Sequence, residues 1–105
     1  MKLTVILSIS EYHDDVASLL DQSGIRRFST VGIRGFKKGK HTDLKSWFGE
    51  HSPHIKTNSI MFLCFTTDEE ASRLISNVDE CNLNSMNSFP VHAFVLDVEK
   101  NSKLL

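Results

Sequence analysis

The runs that read as β-strands are apolar on both sides, and this constrains the fold of the chain more than any other feature. Successive side chains of a strand point to opposite faces. In the run Ile55 to Phe65, Ile60, Phe62 and Cys64 fall on one face, and Met61, Leu63 and Phe65 on the other. In the run Val91 to Val98, Val91, Ala93 and Val95 oppose Phe94, Leu96 and Val98. The first run, Leu3 to Ile9, places Leu3, Val5, Leu7 and Ile9 together with Ile6 opposite. A sheet of such strands needs cover on both faces.

The chain has little to cover them with. Its 105 residues make a single domain, 1–105. Two segments carry a helical period. The first begins among Glu11, Asp14 and Asp15, whose carboxylates suit the positive end of a helix. It continues through Val16, Leu19 and Leu20, and Gly24 is placed to cap it. The second opens on Thr67-Asp68-Glu69-Glu70, which reads as a capping box, and runs through Ala71, Leu74, Ile75 and Val78 to a polar loop over Asn82 to Pro90. A further strand spans Phe28 to Arg34. The order βαββαβ predicts an α+β, ferredoxin-like fold: a four-stranded antiparallel sheet with two helices on one face. Its second face would form a large apolar patch on a lone subunit, so other subunits are expected to cover it.

Between the second and third strands lies a long segment, about 36–54, without a sustained period and punctuated by Gly39, Gly49 and Pro53. Loops of this length in small domains commonly carry function. The formal net charge of −1 conceals an asymmetry here. Seven of the 12 basic residues (Arg26, Arg27, Arg34, Lys37, Lys38, Lys40 and Lys45) fall in one stretch whose one acid is Asp43. Lys37, Lys38 and Lys40 stand among glycines whose backbone amides can cradle an anion, so Gly35, Phe36, Lys37, Lys38, Gly39 and Lys40 form a candidate effector site. A merely solvated loop is the competing reading. Nucleic acid is not an expected partner, because stacking aromatics are few and the whole chain is not basic.

The same segment holds His41, His51 and His54, with Asp43 and Glu50 nearby, a donor set that suits zinc or copper. Pro53 separates His51 from His54, so no helical face fixes their geometry, and solvent-exposed histidines are the plain alternative. Trp47 and Phe48 are candidate anchors for a protein partner, or they tuck back onto the domain. Cys64 and Cys81 have no C-x-x-C spacing, and Cys64 reads as a buried reduced thiol. No nucleophile elbow or P-loop motif is present, which predicts a non-enzymatic protein. No run approaches the roughly 18 apolar residues of a membrane span, and Met1 to Val5 shows no secretory signal, which predicts a cytoplasmic location.

From Asp14 to Asp43 the sequence resembles the PII signal-transduction family. The matching words are Asp14-Asp15-Val16, Gly24-Ile25, Arg34-Gly35-Phe36 and Gly39-Lys40-His41-Thr42-Asp43-Leu44, with weaker echoes at Pro53-His54-Ile55-Lys56 and Ala93 to Glu99. The resemblance implies a ferredoxin-like homotrimer with ligand sites in the clefts between subunits. It also implies a signalling loop after the second strand that docks on target proteins such as enzymes or membrane transporters. The family senses adenine nucleotides and often 2-oxoglutarate. Here Lys37, Lys38 and Gly39 depart from the positions that help hold magnesium and the oxo-acid. Arg27 and Phe28 replace small residues that admit the nucleotide base, and Leu83 to Phe89 lacks the glycines of the phosphate loop. The chain therefore resembles a divergent PII-like protein with no assigned cofactor. Its effector is a small molecule or, in the alternative that resembles the related CutA family and metal-linked PII-like members, a divalent metal. An effector-free adaptor is the third reading.

Overall fold

The computed structural model describes residues 1–35, 57–84 and 89–103. Four strands, β1 (Lys2–Ile9), β2 (Ser29–Gly35), β3 (Thr57–Thr66) and β4 (His92–Asp97), form one antiparallel sheet in the order β2-β3-β1-β4. Helix α1 (His13–Gln22) follows β1 through a single 3-10 turn, Ser10–Tyr12, and α2 (Asp68–Asn84) joins β3 to β4. The ferredoxin-like order expected from the sequence is the order found.

Both helices lie on one face of the sheet. Ile6 of β1 and Phe62 and Cys64 of β3 are buried there against Val16, Leu19 and Leu20 of α1 and Leu74 and Val78 of α2. Phe62 is the largest side chain sealed from solvent, and the rings of Phe28 and His13 each lie 5.6 Å from it. The polar groups that share this face are paired. Thr4 and Thr66 hydroxyls meet at 3.1 Å across β1 and β3, and the Cys64 thiol donates to the Thr4 carbonyl at 3.7 Å.

The helix ends follow the sequence signals. The Thr67 hydroxyl accepts from the Glu70 amide at 3.1 Å, and the Glu70 carboxylate accepts from the Thr67 amide at 2.8 Å, a reciprocal capping box. Gly24 takes φ +85°, the left-handed conformation that lets α1 stop in a Schellman turn. Its amide donates to Asp21 and that of Ile25 to Leu20. Helix α2 reaches Asn84, past the loop start expected at Asn82. A contact across the loop accompanies it: the Asn82 amide group donates to the Val91 carbonyl at 2.8 Å and accepts from the Val91 amide at 3.0 Å, so its side chain acts as a strand partner while its backbone stays helical.

The register assigns the opposite face. Leu3, Val5 and Leu7 of β1 lie across from Phe65, Leu63 and Met61 of β3 on one side and from Leu96, Phe94 and His92 of β4 on the other. Val31 and Ile33 extend the row on β2. No described helix lies over this face. Phe65 is 65% exposed, next to the nearly sealed helix-side Phe62, Cys64 and Thr66 of the same strand, and Leu96 is 49% exposed. The second apolar face is thus present and uncovered within one subunit.

Candidate functional site

One end of the sheet gathers the connections that could carry a site. Strand β2 ends at Gly35 opposite Thr57, where β3 begins. The segment 36–56 therefore leaves and returns at this end. Ile9, the last residue of β1, pairs with Ser59 here, and β4 starts nearby with His92 opposite Leu7. The turn into α1 and the chain entering β4 lie at the same end. The opposite end holds Thr67, the Val98 amide donating to the Met1 carbonyl, and the Lys2–Asp97 ion pair. The Lys2 ammonium, through its hydrogen bond, holds the Asp97 carboxyl below the usual carboxylate range.

Of the residues singled out by sequence, Gly35 is placed at this loop root. Phe36, Lys37, Lys38, Gly39, Lys40, His41, Trp47, Phe48, His51 and His54 lie outside the described residues. Arg34, the basic residue before Gly35, is exposed and pairs in register with Asn58. Among the described residues no group of three or more histidine, cysteine or carboxylate side chains could hold a metal ion.

Two buried serines escape the sequence reading, one at this end and one at the far end of α1. Ser59 is 2% exposed, yet its hydroxyl finds no hydrogen-bond partner among the described residues. A buried hydroxyl of this kind calls for a further partner. The signal in the sequence is faint, a serine one residue before an apolar run. Ser23 is a second case. Its hydroxyl donates to the Leu19 carbonyl at 2.7 Å and accepts from the Asn77 amide at 2.9 Å, and its carbonyl accepts from Arg73 at 3.3 Å. This knot ties the end of α1 to the middle of α2 and fixes the helix layer on the sheet.

A groove of about 370 Å³ runs between the start of α1 and the end of α2, lined in part by Tyr12, Asp15, Cys81, Asn82 and Val91. Burial, with the nearby Asp15, Glu11 and Cys81, pushes the Tyr12 phenol up. Burial, with a smaller contribution from Glu70, pushes the Cys64 thiol up to about 11. Both groups are protonated at neutral pH. Near the loop root the described residues present strand ends, hydroxyls and the exposed Arg34.

No protein-family model and no curated protein matches the chain. Solved structures do. A Thermus thermophilus protein assigned to PII-like signalling superposes with TM-score 0.60 at 19% identity, covering 90% of this chain and 82% of that one. CPII, a nitrogen regulatory PII-like protein from Thiomonas intermedia bound to ADP, AMP and bicarbonate, superposes with TM-score 0.59 at 19% identity over 96% of this chain and 94% of its own. The same protein bound to ADP, AMP and acetate gives 0.58 at 18% identity, covering 94% of this chain and 88% of that one. The fold is that of the PII-like signalling proteins.

The sequence resemblance read from residues 14–43 and the superpositions, which cover 90% to 96% of this chain, point to the same fold. Where the resemblance expects small residues at the start of the second strand, this chain has Phe28, whose ring packs against Phe62 in the core. That side chain is half-buried, packed against the edge of the core. Among the described residues, no helix is long and apolar enough to cross a membrane.

Proposed function

We propose that this chain is a non-enzymatic PII-like regulatory subunit that works as a homotrimer. A small anionic effector binds in the clefts between subunits, at Gly35, Phe36, Lys37, Lys38, Gly39 and Lys40. The segment 36–54 responds to it and presents Trp47 and Phe48 to a target protein. The observation that carries the reading is the sheet: a PII-like fold whose second, largely apolar face has no described helix over it and leaves Val31, Phe65, Phe94 and Leu96 exposed in the single subunit. Among the described residues that face carries no acid, lysine or arginine, so it can meet copies of itself without setting like charges against each other. The basic segment rooted at Gly35 supplies the positive charge for an anion, and CPII, which shares the fold, binds ADP, AMP and bicarbonate.

Two measurements test this reading. Light scattering on the purified chain is expected to give three times 11.9 kDa. Thermal unfolding is expected to shift upward with one or more of ADP, AMP and bicarbonate, because a ligand bound to the native state alone stabilises it by mass action, about 2.7 kcal/mol at a hundredfold excess over Kd. A monomer in solution removes the intersubunit site. A trimer indifferent to all three ligands, alone and combined, removes this effector class.

A further inference from the structure

The groove between the start of α1 and the end of α2 has an apolar floor. Val16, Leu19 and Val91 are buried there, beside half-buried Cys81. Asp15, Ser18 and Gln22 stand exposed along its α1 wall. The Asp15 carboxylate has no ion pair among the described residues. The volume of about 370 Å³ admits one large apolar side chain. The surface around the groove is strongly acidic. Helix α1 and the turn before it hold Glu11, Asp14, Asp15 and Asp21, and α2 holds five more acids, three in its first turn and Asp79 and Glu80 near its end. These are nine of the chain's 13 acids, and of its 12 lysines and arginines Arg73 alone lies among them. Arg73 is engaged at the far end of the helix pair, where its Nε donates to the Ser23 carbonyl at 3.3 Å. Neither helix has a basic residue in its last turn, so the negative end of the α2 dipole at the groove is not offset.

An apolar slot set in an acidic surface selects an occupant that is apolar at one point and basic around it. We infer that this groove docks a basic segment of a partner protein. One aliphatic or aromatic side chain of that segment seats on Val16, Leu19 and Val91, and lysines or arginines on either side of it face Asp15 and the acidic ends of the two helices. A small amine would meet Asp15 but leave most of this charge unanswered, because acids stand at both ends of each helix. The groove lies on the helix side of the sheet, so the inference does not rest on copies covering the other face.

The test is calorimetric titration of the full chain with synthetic peptides. The first has a leucine between two pairs of lysines, the second has glycine at its centre, and the third keeps the leucine but has glutamates for lysines. The leucine–lysine peptide is expected to bind at least about tenfold more tightly than the glycine peptide, the effect of taking one leucine side chain out of water. Its binding is expected to weaken as salt is raised, and the glutamate peptide is expected not to bind. Asp15→Asn and Ser18→Arg change exposed rim positions, and circular dichroism is expected to show both variants folded. Each is expected to weaken the leucine–lysine peptide several-fold, whereas Glu69→Gln, at the other end of α2, leaves it nearly unchanged. Failure of the leucine–lysine peptide to bind overturns the inference. So does equal binding of the leucine and glycine peptides, or an equal loss in Glu69→Gln and Asp15→Asn, since either would mean diffuse attraction without the groove. Isopentylamine binding as tightly as the leucine–lysine peptide would assign the groove to a small cation and overturn the peptide as its occupant.

Discussion

Cys64 and Cys81 illustrate how much of a residue's chemistry is set by its surroundings. Cys64 sits under the helix layer, its thiol raised to about 11 by burial and donating to the Thr4 carbonyl. Thiolate is the reactive form, so Cys64 is expected to be inert in the folded chain at pH 8. Cys81 is half-buried at the groove between the helices. Titration with a thiol reagent is expected to find one reactive cysteine in the native protein and two in denaturant. Two reactive thiols in the native state would contradict the packing around β3. Phe62 makes the same point about volume. Replacing it with alanine removes a ring that meets Phe28 and His13 at 5.6 Å and is expected to cost about 3–5 kcal/mol in chemical denaturation.

At the scale of elements, the ends of the helices are where local sequence speaks most plainly. Thr67→Ala deletes the hydroxyl half of the capping box and is expected to cost about 1 kcal/mol, read as a lower denaturant midpoint with unchanged slope. Gly24→Ala is expected to destabilise by about 1 kcal/mol through backbone strain at φ +85°, since the added methyl would meet only the Arg73 guanidinium tip at 3.2 Å, and that tip can swing away. Both features were legible because each depends on a few neighbouring residues: Thr67 with Glu70, and Gly24 after Leu20. The strands were legible for a related reason, since the alternation of Met61, Leu63 and Phe65 with Ile60, Phe62 and Cys64 needs no knowledge of partners. The end of α2 was not. There Asn82 reaches Val91, a contact across a loop that no local pattern encodes. Ser23 and Ser59 were hidden likewise, because a buried serine becomes visible only when its neighbours in space are known.

For the whole molecule, the decisive quantity is the face that one subunit leaves bare. The sequence reading reached it through strand alternation, and the register of β1 with β3 and β4 places those residues in common rows. The candidate effector site was legible only as composition, a run of lysines and glycines, and of its members the described residues include Gly35 alone. The intersubunit reading ties face and site together and yields a joint prediction. Leu63 lies in the middle of the bare face, across from Val5 and Ser29. In a lone subunit Leu63→Glu puts a carboxylate at a half-solvated position, which the fold tolerates with a small loss. In an assembly the same carboxylate is desolvated in every copy at once and has no basic partner among the described residues of the face, a cost of several kcal/mol per buried charge. The variant is expected to scatter light as a folded single chain of 11.9 kDa at pH 7.5. If the effector lies between subunits, that same variant loses the thermal shift produced by nucleotide or bicarbonate, although no residue of 35–40 has changed. A folded monomer that retains the full shift would place the ligand within one subunit. A Leu63→Glu chain that still trimerises would mean that copies meet elsewhere than on this sheet.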